Sequence, residues 1–227
     1  MRPYTRSHYV PFRKEIIVGD IMGKYSLEDV NSMYFDVLKE IGNVGAGNAT
    51  TAIAGMLGTR IDMKVPSVRL LDVEQLGTAV GGEEETIIGI FLEVQNDIEG
   101  SLMFLLDIKS GHYMVNKLMG RDSSYCQPFD EMDLSALKEI GNIIAASYLT
   151  ALASMTKMSI SPSVPYIAVD MAASILSVPA IQFGQFGDKA LLIETEICSD
   201  VAIKGNFILM PEQDSYDKIL SSLGIAL

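Results

Sequence analysis

The hexapeptide Leu-Lys-Glu-Ile-Gly-Asn occurs twice, at 38–43 and 137–142, and each copy is followed at the same distance by a proline, Pro66 and Pro165. A chain of 227 residues that keeps six residues and a remote seventh in one 99-residue register is internally duplicated. Its fold must therefore be one that two copies of a single unit build together. Because the repeated stretch includes a polar Glu-x-x-Asn pair, a candidate site was duplicated along with the scaffold.

Periodicity supplies the elements. Ser26 opens a Ser-x-x-Asp capping signature with Asp29, and apolar residues recur at Val30, Tyr34, Val37, Leu38, Ile41, Val44, Ala52 and Ile53, the pattern of a long amphipathic helix ending near Gly58. The second copy starts at Asp130 and runs through Leu134, Leu137, Ile140, Ile144, Tyr148 and Leu152 to about Met158. β-type sequence follows each helix around its proline, at 60–73 and 158–169. Hairpins are expected from 86–94 with 101–108 and from 190–197 with 202–210, then a shorter closing helix at 110–118 and at 213–223. The expected fold class is α+β: two long helices packed on a sheet of about six principal strands, in two sets of three, with pseudo-twofold symmetry. Residues 22–227 are read as one domain of two repeats, 22–120 and 121–227. Residues 1–21, which mix Arg, Tyr, Pro and Phe without periodicity, are read as a disordered or non-native leader. Pro66 to Gly100 spans 34 residues and Pro165 to Gly205 spans 40, so the second repeat is expected to carry about six extra residues, read as a short helix over 170–176.

Composition narrows the function. A net charge of -12 repels phosphate backbones and anionic lipid, which argues against nucleic-acid binding and membrane association. The exception is the basic group Arg2, Arg6, Arg13 and Lys14. With only Cys126, Cys198, His8 and His112 as soft or imidazole ligands, no zinc set is expected, and both thiols are read as reduced. No apolar run reaches the roughly 18 residues of a membrane span, so a cytoplasmic location is expected.

On a helix, Asp36, Glu40 and Asn43 fall within about 60° of one another, and Ser135, Glu139 and Asn142 repeat the arrangement. This face lies opposite the apolar stripe, so the side chains are expected to project outward. Gly42 and Gly141 adjoin the asparagines, each at a cost of about 1 kcal/mol against Ala, which suggests that another backbone or a bulky partner approaches closely. After duplication, solvated positions are free to drift. The flanking apolar positions differ, Val37 against Ala136 and Val44 against Ile143, while Glu and Asn match. An exposed Glu and Asn supply no nucleophile, base or charge sink of their own. A carboxamide can still orient a water molecule if its helix enters a partner that already holds a metal and a labile phosphoryl group. Positioning of that kind, worth about 1 to 3 kcal/mol, is roughly a ten- to hundredfold effect. The stretch Gly42-Asn-Val-Gly45-Ala-Gly47 is not a nucleotide loop: its spacing is not GxGxxG and no strand precedes it.

The patterns Asp36-x3-Glu40-x2-Asn43-x22-Pro66 and Ser135-x3-Glu139-x2-Asn142-x22-Pro165 resemble the paired signature of the CheC family of chemotaxis phosphatases. The resemblance spans 22–227. It implies dephosphorylation of the phospho-aspartate of the response regulator CheY, with Asn43 and Asn142 orienting the attacking water and Glu40 and Glu139 pairing with a lysine of the regulator. Asp36, Ser135, Pro66 and Pro165 would support the motifs. It also implies no cofactor of the chain's own, magnesium being supplied by phosphorylated CheY. CheX-like relatives typically carry one competent motif and FliY-like relatives add a flagellar-switch domain, so the pattern is most like CheC. The segment after Pro165 resembles the region through which many CheC proteins bind the receptor deamidase CheD, with Asp170 as the candidate contact. The alternative is a non-catalytic adaptor that binds CheD or CheY.

Overall fold

The computed structural model describes residues 27–72, 75–183, 189–198 and 202–224. The expected leader and the Ser26 cap lie outside these residues. In chain order the elements are α1 (Leu27–Leu57), β1 (Asp62–Lys64), β2 (Val68–Asp72), α2 (Leu76–Ala79), β3 (Thr86–Asn96), β4 (Gly100–Asp107), α3 (Ile108–Met119), α4 (Glu131–Thr156), β5 (Ile160–Pro162), β6 (Tyr166–Met171), α5 (Ala172–Phe183), β7 (Lys189–Cys198), β8 (Ala202–Pro211) and α6 (Gln213–Ser222).

Each proline interrupts the strand that follows a long helix, because it has no N–H to give to a ladder. Pro66 separates β1 from β2, and Pro165 separates β5 from β6. The eight strand segments therefore occupy six positions in one antiparallel sheet, ordered β1-β7-β8-β4-β3-β5, with β2 also on β7 and β6 also on β3. Exchanging the repeats reverses this order onto itself, as a twofold axis between β4 and β8 requires. Phe104 and Phe207 meet across that axis, both fully buried and stacked with centroids 4.6 Å apart.

The two expected sets of three strands are interleaved. The strand after α1 pairs with β7 of the second repeat, and the strand after α4 pairs with β3 of the first. The insertion is also smaller than expected. The hairpin pair Ile88–Leu106 corresponds to Leu191–Leu209, a displacement of 103 residues against 99 for the helices, so the second repeat gains four residues. Gly100 thus has Ile203, not Gly205, as its counterpart. The added residues lengthen a feature present in both copies: α2 has four residues and α5 has twelve.

Tyr34, Leu38, Ile41, Ile53 and Leu57 of α1 and Leu137, Ile140, Ile144, Tyr148 and Leu152 of α4 are buried against Ile88, Ile90, Leu92, Phe104 and Phe207 of the sheet. Each such side chain contributes about 1.5 to 3 kcal/mol. Val44 and Ala52, expected in the stripe, are exposed. The other sheet face carries a second cluster, with Ile87, Phe91, Leu105, Leu192 and Ile208 beneath Leu76 of α2 and Ile175 of α5. Covering on both faces explains why the central strands read as unbroken apolar runs. The helices cross closely where a Cβ on Gly45 would lie 2.9 Å from the Tyr148 Cα. Cys126 and Cys198 are free thiols.

Candidate functional site

The apolar faces of α1 and α4 are committed to the sheet, and this places their polar faces outward. Asp36, Glu40 and Asn43 on α1 are exposed. On α4, Ser135 and Glu139 are exposed and Asn142 is half-buried. Within each motif the residues lie three or four apart on one helix face, the spacing at which side chains are neighbours. Neither pair lines either of the clefts seen among the described residues. A cleft of about 520 Å³ is lined by Asp107, Glu194, Glu196 and Asn206, on the far side of the sheet from both helices. Among the described residues, no group of three or more His, Cys, Asp or Glu is arranged to hold a metal ion, and no helix is long and apolar enough to cross a membrane.

The glycines beside the asparagines have neighbours within the chain itself. A Cβ on Gly42 would stand 3.2 Å from both γ-carbons of Val65, and one on Gly141 would stand 2.4 Å from the Ile90 Cδ1. The expected close partner is the protein's own core, which lets each helix settle at the level of its motif.

Sequence reasoning missed one group, the backbone N–H of Val65, which donates to Asn43 Oδ1 at 3.2 Å. The fixed 22-residue spacing to a proline was the available signal, since the donor immediately precedes Pro66. Pro66 itself is exposed and Pro165 is half-buried. Asp170 is exposed on β6, where its Oδ1 accepts from the Met171 N–H at 2.7 Å. Around it Tyr166, Val169 and Met171 also face solvent. His112, half-buried, stacks on Phe129 with centroids 4.2 Å apart.

Two equivalent helices, laid side by side on a sheet shared between two repeats and each presenting a Glu-x-x-Asn pair outward, define a duplicated helix-face protein whose candidate sites lie on its surface. Comparison with known proteins gives the family. The model of the CheC-like family matches residues 33–69 and 132–168, one match per motif. A Bacillus subtilis (strain 168) protein named CheY-P phosphatase CheC is 35% identical over 197 residues, 85% of this chain and 94% of that protein. The chain belongs to the CheC-like family. The B. subtilis flagellar motor switch phosphatase FliY is 25% identical over 139 residues, 60% of this chain and 36% of FliY. The crystal structure of Thermotoga maritima FliY shares the fold with a TM-score of 0.70 at 23% identity, covering 85% of this chain and 96% of that one. A FliG-FliM complex from H. pylori aligns with a TM-score of 0.63 at 16% identity over 87% of this chain and 100% of that one.

Proposed function

We propose that this protein is a phosphatase for the phospho-aspartate of CheY, acting by lodging the α1 or α4 face in the regulator's active site. The observation that carries this reading is the outward placement of the same Glu/Asn pair on two symmetry-related helices. The name borne by its 35%-identical relative, CheY-P phosphatase CheC, supports the substrate. In this reading Asn43 or Asn142 hydrogen-bonds the attacking water and aligns it with the phosphorus, so that the entropy of placing the nucleophile is spent on docking rather than in the chemical step. Glu40 or Glu139 meets a lysine ammonium of the regulator and fixes the approach. Magnesium, held by CheY, balances the charge of the leaving carboxylate and the phosphoryl oxygens. The reaction belongs to the cytoplasm, where its substrate is made.

A contact to CheD is proposed at β6, where Asp170 lies among the exposed Tyr166, Val169 and Met171. As an adaptor alone, the chain would bind CheD or CheY and leave the phosphate's lifetime unchanged.

Phosphate release from purified phosphorylated CheY tests the reading. The chain is expected to speed release roughly ten- to hundredfold. Asn43→Ala and Asn142→Ala together are expected to abolish this while costing about 1 to 2 kcal/mol of stability in urea titration. Full turnover by the double variant, or an unaltered phosphate lifetime with wild type, overturns it.

A further inference from the structure

The two motifs match in sequence, but their surroundings differ. In the first repeat Val65 is 2% exposed, its side chain lies over Gly42, and its N–H reaches Asn43 Oδ1. In the second, the equivalent Val164 is 77% exposed, and Ile90 rather than Val164 fills the space at Gly141. No hydrogen bond to the Asn142 carboxamide forms among the described residues. The loops are pinned at different points. After Pro66, Ser67 Oγ donates to a Glu194 carboxylate oxygen and the Glu194 N–H donates to Ser67 O at 3.0 Å. Before Pro165, Ser163 takes the Glu93 N–H on its Oγ at 2.9 Å and donates its own N–H to Glu93 O. The second loop is thus held to the sheet one residue ahead of Val164, whose side chain swings out.

A residue preceding proline is kept out of the helical region and in extended backbone. Pro66 therefore limits the directions in which the Val65 N–H can point. A carboxamide has two ends of similar size, one donating and one accepting, and an unconstrained one samples both orientations. The Val65 N–H bonds only to the oxygen end. It leaves Nδ2 with both protons, and the second lone pair of Oδ1, for a docked partner and its water.

Resting on the phosphatase reading, we propose that Pro66 is a positioning residue for the first site: it aims the Val65 N–H at Asn43 and so sets the orientation of the carboxamide before CheY arrives. The second site lacks this clamp, and Asn142 is ordered only on docking.

Two measurements on the full chain decide the matter. In hydrogen exchange, the Val65 amide is expected to be protected at least tenfold over the Val164 amide, and Asn43→Ala is expected to erase that protection while the β3 and β4 amides keep theirs. Equal protection of Val65 and Val164, or protection of Val65 that survives Asn43→Ala, overturns the clamp whether or not the protein is a phosphatase. In phosphate release, Pro66→Ala in an Asn142→Ala background, where only the first site works, is expected to lower kcat about fivefold with KM unchanged, the value of one net hydrogen bond. The fall is expected to be smaller in an Asn43→Ala background. An equal fall in both backgrounds marks general loosening and overturns the proposal. If wild type releases no phosphate, the phosphatase reading fails and the exchange experiment still decides the clamp.

Discussion

Tyr148 lies at the centre of the core, its ring 4.4 Å from that of Phe207 and its hydroxyl 3.1 Å from Thr195 Oγ1. Burial pushes its phenol up from 10.0 to about 12, an effect partly opposed by the bond to Thr195. Burial also raises Tyr34, with the hydrogen bond its hydroxyl donates to Tyr216 acting in the same direction. In alkali the unfolded chain gives up these protons first, so both groups contribute stability that is intact below about pH 10. Tyr148's share is lost as pH rises from there through its folded value. Urea titrations at pH 7 and pH 11 are expected to show a fall that Tyr148→Phe reduces, at a cost of about 1 kcal/mol at pH 7 for the lost bond. The glycines separate by what stands over them. Gly141→Ala drives a methyl into the fully buried Ile90 and is expected to cost about 1 to 3 kcal/mol in urea titration. Gly55→Ala, with nothing within 4 Å of the new carbon, is expected to stabilise by up to about 1 kcal/mol.

Among elements, α4 opens on a reciprocal cap. Asp130 accepts from the Asp133 N–H at 2.8 Å and donates its own N–H to Asp133 Oδ2 at 3.3 Å. The nearly buried Asp133 also takes Arg121 Nη1 at 2.6 Å, which ties the inter-repeat loop to the helix. Asp133→Ala removes one arm of the reciprocal cap and the ion pair together, leaving the N–H of residue 133 on Asp130, and is expected to cost about 1 to 3 kcal/mol, read from thermal or urea unfolding. This helix was legible because Asp130 and the run from Leu134 to Leu152 speak only of neighbours along the chain. The hairpins were legible for the same reason. The short α2 was not, since four residues give no period to read. Val44 was misplaced because a heptad-like count cannot tell that the stripe on α1 narrows beside Asn43. Equating Gly100 with Gly205 overstated the insertion, since a glycine match carries less information than a strand register. The outward faces of Glu40, Asn43 and Glu139 followed from helical geometry alone. The Val65 bond did not, because it joins groups 22 residues apart and depends on which way a loop is pinned.

At the scale of the molecule, the duplication announced the pseudo-twofold but not the exchange of strands between halves, since pairing partners leave no trace in a single sequence. With β1 and β2 on β7, and β5 and β6 on β3, neither repeat closes its own sheet, and each alone would bare long apolar edges. A chain severed between Ser123 and Ser124, in an exposed turn, is expected to yield fragments that aggregate singly and, when co-expressed, purify as a stoichiometric pair with native circular dichroism. Soluble, monomeric halves would contradict this.

The same interleaving binds the fates of the two sites. The stretch bearing Pro66 rests on a strand of the other half, and the stretch bearing Pro165 on a strand of the first. A lineage can therefore silence one Glu/Asn couple only by repainting the surface of its helix, because eroding the repeat beneath it would unseat the strand that follows the helix of the other.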